Sequence, residues 1–179
     1  MKIELKTERL IIRNFVSDDW KSYKFVKELK DFFIAKESSP YAVYDSRWPT
    51  DDDSILKMAE WMPQHNHHLA ICLPSDNTFI GYIFHMDGDN GLGIGYAIHS
   101  AYQNNGYGTE AVRGFIDYAF HNMGAKCVLA GTANNNIPSV RLLEKLNFKK
   151  VNEHAQSHRQ DKQGNPINFI ESLYTYSLK

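Results

Sequence analysis

Apolar and polar residues alternate along this chain in two periods, and the change from one to the other divides it into elements. Thr7-Glu8-Arg9-Leu10-Ile11-Ile12-Arg13 predicts a strand, after which Ser17 stands as a helix cap with Trp20, Tyr23 and Val26 at helical spacing. A second helix is predicted from Thr50: its hydroxyl can cap, Asp51, Asp52 and Asp53 suit the positive helix end, and Ile55, Met58 and Met62 turn inward. Runs at 68–73, 79–86 and 92–99 are separated by Pro74-Ser75-Asp76-Asn77 and by Asp87-Gly88-Asp89-Asn90-Gly91, which predicts an antiparallel meander. Ala111, Val112, Phe115, Ile116, Ala119, Phe120 and Met123 then line one face of a helix over 109–123 that Gly124 can end, and 126–131 is a buried strand.

Strand 92–99, helix 109–123 and strand 126–131 form a βαβ unit, which requires parallel neighbours and a right-handed crossover. A helix over Ser139–Leu146 and strands at 148–154 and 167–178, joined through Gln163-Gly164-Asn165-Pro166, complete an α+β fold with a mixed sheet. No repeat and no long Pro/Gly/Ser linker interrupts it, so residues 1–179 are expected to form a single domain.

Charge narrows the range of partners. With 20 basic against 21 acidic side chains and a formal net charge of −1, no global field favours nucleic acid or an anionic membrane. The start Met1-Lys2-Ile3-Glu4-Leu5-Lys6 lacks an apolar export segment, and no later stretch reaches the roughly 20 apolar residues of a membrane span, so a cytosolic protein is expected. Cys72 and Cys127 lie in apolar runs and read as structural thiols, not as a disulfide or a nucleophile.

The chemistry concentrates in Gln103-Asn104-Asn105-Gly106-Tyr107-Gly108-Thr109. Between a strand and a helix, such a loop offers unpaired N–H groups and the positive helix end to an anion, with glycines free of Cβ and a threonine hydroxyl alongside. An ordinary glycine-rich turn has the same local sequence. The surrounding run changes that balance, because Ile94 to Ala111 (IGYAIHSAYQNNGYGTEA) resembles the cofactor motif of the GNAT acetyltransferases almost position by position. Asn136-Ile137-Pro138-Ser139-Val140-Arg141-Leu142-Leu143-Glu144-Lys145-Leu146-Asn147-Phe148 resembles the second motif of that superfamily, and the opening Thr7 to Arg13 is similar to the branch with the ribosomal-protein N-acetyltransferases.

The resemblance implies a mostly antiparallel mixed sheet, flanked by helices, whose central parallel pair splays to admit the pantetheine of acetyl-CoA. It implies that backbone at Tyr96, Ala97 and Ile98 pairs with pantetheine and stabilises the oxyanion. Asn104 to Thr109 would cradle pyrophosphate, and Asn136 and Ser139 would reach the cofactor; capping alone also accounts for Asn136. Asn147 replaces the usual glycine, which a helix C′ position tolerates because asparagine accepts positive φ.

Direct transfer in a ternary complex to a primary amine, on a small metabolite or a protein N-terminus, is the expected reaction, with a non-catalytic CoA-binding module as the alternative. The family's acid tyrosine is Leu143 here, Tyr107 being a substitute by position only, and Leu92-Gly93 replaces its basic glutamate. His85, Asp87, His99, Glu37 and Asp45 are candidate bases, none preferred. The aromatic stretch 37–49 offers Glu37, Tyr41, Tyr44, Asp45 and Trp48 as an acceptor wall, against the plainer reading of core plugs. His65, His67 and His68 lack the further ligands of a metal site, and no metal is expected. Oligomeric state is not legible.

Overall fold

A computed structural model describes residues 2–89 and 91–178. Asn90, in one of the turns predicted above, and the terminal Met1 and Lys179 lie outside the described residues. The strands are β1 (Glu4–Lys6), β2 (Ile11–Asn14), β3 (His68–Cys72), β4 (Phe79–Gly88), β5 (Gly91–Ile98), β6 (Val128–Ala133), β7 (Lys149–Gln156) and β8 (Phe169–Tyr176). They form one eight-stranded sheet in the order β1-β2-β3-β4-β5-β6-β8-β7. Neighbours are antiparallel except β5 and β6, whose parallel register runs Leu92↔Val128, Gly93↔Leu129 and Ile94↔Ala130.

Helices α1 (Ser17–Lys21), α2 (Tyr23–Glu37), α3 (Asp52–Trp61), α4 (Tyr107–Asn122) and α5 (Ile137–Lys145) cover the two faces. Strand alternation, with one register shift between β3 and β4 at Ile71/Cys72, sorts the core. Leu69 and Ile71 of β3, Ile80 and Ile83 of β4, and Leu92 and Ile94 of β5 meet Ala111, Val112, Phe115, Ile116 and Ala119 of α4 and Leu143 of α5. On the opposite face Ala70, Cys72, Phe79 and Tyr82 meet Phe25, Leu29, Phe32 and Phe33 of α2 and Ile55, Ala59 and Met62 of α3 and its exit.

The meander, the helix over α4 and the parallel crossover match the expected pattern. Gly124 ends α4 at φ 73°, with the Ala125 N–H returning to the Ala119 carbonyl, and Asn147 adopts φ 65°. The amino-terminal third differs. Thr7–Arg9 is not strand: the Thr7 N–H closes a turn on the Leu10 carbonyl, and β1 pairs back on β2. Ser17 is the first helical residue, not the cap; Asp19 reaches back to accept the Val16 N–H at 2.8 Å while also binding Arg13. The expected Trp20-Tyr23-Val26 face fails because the chain breaks at Ser22, whose hydroxyl caps α2, leaving Tyr23 84% exposed. Asp51, not Thr50, caps α3, through the Ser54 N–H. In each case a carboxylate or hydroxyl one or two residues along offered the better-placed acceptor.

Candidate active site

The parallel pairing of β5 and β6 stops at Ile94↔Ala130, although β5 continues to Ile98 and β6 to Ala133. Beyond it each strand keeps only its outer partner, β4 or β8. The Leu92 N–H bonds to the Cys127 carbonyl and the His99 N–H to the Ile80 carbonyl. By strand alternation, Tyr96 and Ile98 therefore turn their peptide groups into the gap, while Ala97 is committed to Tyr82 of β4. The Asn134 N–H bonds to the Ile170 carbonyl of β8, so the same alternation points Gly131 and Ala133 of β6 at the gap. Of the three β5 residues singled out in the sequence, two thus turn a backbone edge to the gap, and at Ile98 the carbonyl already accepts from Gln103 Nε2 at 2.8 Å.

The Gln103–Gly108 loop closes the end of this gap. Asn104 has φ 63° and Gly106 φ 81°, and Asn105 Nδ2 donates to the Gln103 and Tyr102 carbonyls, so consecutive N–H groups curl toward the first turn of α4. Gly106 is the cap residue, and its missing Cβ would stand 3.3 Å from Arg9 Nη2. Gly108 has a packing role that its position in the loop does not announce. A Cβ there would meet Leu142 Cδ1 at 3.1 Å and Ile98 Cγ1 at 3.5 Å, so this glycine lets α4 close on α5 and β5.

The opening Thr7-Glu8-Arg9 braces that loop. Glu110 of α4 accepts from Thr7 Oγ1 (2.6 Å), the Arg9 N–H (2.8 Å) and Arg9 Nε (2.7 Å), while Arg9 Nη1 donates to the Asn105 carbonyl and the guanidinium covers the Tyr107 ring. Burial alone would raise the Glu110 carboxyl, but these hydrogen bonds outweigh it and hold the group below the usual range. Tyr107 is thus taken up by Arg9. Thr109, Arg113 and Lys145 line an open groove of about 780 Å³ beside the loop. Replacing Glu110 with alanine removes several charge-assisted bonds, so amide exchange at residues 104–107 is expected to quicken at least about tenfold while exchange in β3 and β4 stays unchanged.

Across the gap, the Tyr96 hydroxyl lies 3.0 Å from Ser139 Oγ of α5. Burial pushes the phenol up to about 12, so it stays protonated. Ser139 is one helical turn before Leu143, on the same face. Asn136 occupies the α5 cap position, but its side chain makes no capping bond.

The candidate bases are dispersed. His85 packs under Phe115 on the α4 side, its Nε2 on the Asn66 carbonyl, and the His99 imidazole accepts the Ala101 N–H. Asp87 is exposed near the end of β4, remote from the splay. Glu37 forms a two-pronged pair with Arg159, and Asp45 pairs with Lys36. In the 37–49 stretch Trp48 stacks on Phe33, and Tyr44 meets Phe169 edge-on at 5.2 Å; Tyr41 opens the short turn Ala42–Tyr44. His68 is half-buried against Trp61 and Phe84, and that desolvation pushes its imidazole down to about 4. Among the described residues no group of three or more His, Cys, Asp or Glu is placed to hold a metal, and no helix is long and apolar enough to cross a membrane. Burial pushes the Cys72 thiol up to about 12, unsuited to a nucleophile.

Sequence reasoning passed over Arg159, Glu171 and His154. The last two form a pair at 3.1 Å on β8 and β7. The one trace of Glu171 in the sequence is a carboxylate in the apolar alternation of Phe169, Glu171 and Leu173.

Residues 9–149 match the family model for the acetyltransferase (GNAT) domain. The Bacillus subtilis protein named Probable N-acetyltransferase YjcK is 36% identical over 156 residues, 82% of this chain and 83% of that one. Among solved structures, a GNAT-family acetyltransferase from Bacillus anthracis superposes with a TM-score of 0.77 at 22% identity, covering 98% of each chain. The ribosomal-protein-S5-alanine acetyltransferase from Vibrio fischeri has a TM-score of 0.73 at 17% identity, over 98% of this chain and 96% of that one.

Proposed function

Because the chain belongs to the GNAT acetyltransferase family, we propose that it binds acetyl-CoA and passes the acetyl group directly to a primary amine, on a small molecule or a protein N-terminus, in the cytosol. The observation that carries this reading is the parting of β5 and β6 after Ile94↔Ala130. It leaves backbone edges of Tyr96 and Ile98 facing a gap that opens onto the loop at the amino end of α4. An extended pantetheine suits such edges as a short additional strand would, and pyrophosphate suits the N–H groups of Asn104 to Thr109.

In this reading most of the work falls to the backbone and side chain of one residue. The Tyr96 N–H would receive the negative charge that grows on the thioester oxygen. The Tyr96 hydroxyl, held by Ser139 near the face where relatives carry a tyrosine at the Leu143 position, is the donor for the departing sulfur. Arg113 and Lys145, in the groove beside Thr109, suit the 3′-phosphate.

Calorimetry tests this reading. Acetyl-CoA is expected to bind with micromolar Kd or tighter, 3′-dephospho-CoA about tenfold more weakly, and ATP is expected not to compete. A folded protein that binds no acetyl-CoA at millimolar concentration would falsify the proposal. Binding without transfer to any of a broad panel of primary amines would favour a CoA-binding module without catalysis.

A further inference from the structure

Glu171 leans across its own sheet. A Cβ on Gly131 of β6 would stand 2.9 Å from Glu171 Oε1 and 3.0 Å from its Cδ, so the carboxylate lies flat on that glycine. Gly131 is the first residue of β6 beyond the last parallel pair, at the point where the gap begins. Register places Gly131 on the face shared by Gly93, Gly95 and Ala97 of β5, which is the face away from α4 and α5. Small residues therefore leave the mouth of the gap open on this face, and Glu171 borders it.

Among the described residues the carboxylate has one side-chain partner in hydrogen-bond reach, His154, at 3.1 Å from Oε2. Its side chain is 23% exposed and that of His154 47%, so protons can reach solvent. Two residues along β8, Phe169 is covered by Tyr44 at 5.2 Å and His158 at 5.5 Å, an aromatic flank suited to the carbon skeleton of an amine. Glu37 and Asp45 are already bound to Arg159 and Lys36. Among the described residues, Glu171 is the one of these carboxylates with open lone pairs beside the gap.

We propose that Glu171 is a catalytic residue that receives the acceptor as its ammonium ion and removes a proton from it, with His154 as the positioning residue that orients the carboxylate. This rests on the acetyl-transfer reading above. One ammonium proton passes to Glu171 and on to solvent. The freed lone pair attacks the thioester carbonyl, the N–C bond forms and the C–S bond breaks, and a second nitrogen proton ends on the departing sulfur as CoA thiol. The products are the amide, CoA and one released proton.

The test compares wild type, Glu171→Gln, Gly131→Ala, His154→Gln and His154→Leu. Acetyl-CoA affinity is measured by calorimetry, and thiol release is measured with propylamine and alanyl-alanine. Separately, the His154 ring signal is followed by NMR as propylammonium is added to the protein alone. Glu171→Gln is expected to lower kcat/KM for amine at least about a hundredfold, with acetyl-CoA Kd within about twofold of wild type. Gly131→Ala keeps the carboxylate but pushes it off the strand, a movement that a flexible side chain accommodates without unfolding, and is expected to lose about tenfold. His154→Gln keeps an N–H donor and should retain most of the rate, whereas His154→Leu should lose about tenfold, a contrast that packing alone would not produce. Propylammonium is expected to move the His154 signal in wild type and not in Glu171→Gln.

Rates for Glu171→Gln within about threefold of wild type, or a wild-type His154 signal indifferent to propylammonium, would overturn the assignment of Glu171. Failure of wild type to bind acetyl-CoA would overturn the transfer reading and the proton-removal step that rests on it.

Discussion

Replacing Gly106 with valine is expected to raise the Kd for acetyl-CoA at least about thirtyfold, roughly 2 kcal/mol, while Gly106→Asn keeps most of the affinity. Gly106 has φ 81° at the cap of α4. A β-branched residue is strained there, whereas asparagine visits this region readily. Valine would drive the loop to negative φ and turn the N–H groups of residues 105–109 away from a shared focus. Both substitutions place a Cβ 3.3 Å from Arg9 Nη2, so steric crowding is common to the pair and the backbone requirement alone separates them. Calorimetry on the three proteins measures it. Since the position is exposed, the melting temperature should fall by no more than about 8 °C for valine. Equal losses for valine and asparagine would locate the effect in crowding, not in the turn. Gly108, whose Cβ would strike Leu142, is the wrong place for this experiment, because a side chain there disturbs the contact of α4 with α5.

Arg159→Ala is expected to destabilise the protein by about 3 kcal/mol, because it leaves the Glu37 carboxylate largely buried without its cation. The guanidinium is 7% exposed and Glu37 16%. Arg159 donates to both Glu37 oxygens (2.7 and 2.9 Å), to the Asp45 carbonyl (2.6 Å) and to the Ser46 carbonyl (3.0 Å), and so pins the 38–51 connection to the segment between β7 and β8. For a chain of this length the loss corresponds to about 6–12 °C in Tm. The pH dependence has a definite sign. Burial alone would raise the Glu37 carboxyl, but Arg159 and the Trp48 N–H outweigh it and hold the folded-state value below the ordinary one. The stabilisation is therefore complete above the unfolded carboxyl pKa of about 4.3 and is lost as pH falls through the lower folded value. Thermal melts of wild type and Arg159→Ala should stand apart at pH 7 and converge as the pH falls below the unfolded carboxyl value. A constant separation would place the effect in the backbone contacts of Arg159 and not in its charge.

The candidate site was legible in proportion to how locally its parts are encoded. Gln103 to Thr109 could be picked out because glycines at a strand-to-helix junction let the backbone turn and leave N–H groups at the helix end, all within a few residues. In the structure Asn104 and Gly106 have positive φ. The role of Thr7-Glu8-Arg9 was hidden: its partner is Glu110, about a hundred residues away, and no spacing rule connects the two. Glu37 and Asp45 read as free carboxylates for a similar reason, since the cation of Glu37 comes from Arg159, far along the chain, and that of Asp45 from Lys36, nine residues earlier and across the exit of α2. Ala97 was grouped with Tyr96 and Ile98, but the side a peptide group faces depends on which neighbour lies on each side of β5.

What the amino-acid sequence determined by itself was the periodic skeleton: the meander of β3, β4 and β5, the apolar face of α4 ended by Gly124, the parallel crossover, the anion-suited loop and its family. Each follows from propensities and turn chemistry acting within one or two turns of chain. Only the tertiary structure decided where β5 and β6 part, which carboxylates are bound by cations, and which one lies open on Gly131. Those outcomes depend on sheet order, which brings β6 between β5 and β8 and sets Glu171 against a glycine forty residues earlier. Long-range pairing is the sum of many weak burial terms over the whole core, and no local pattern in the chain carries it.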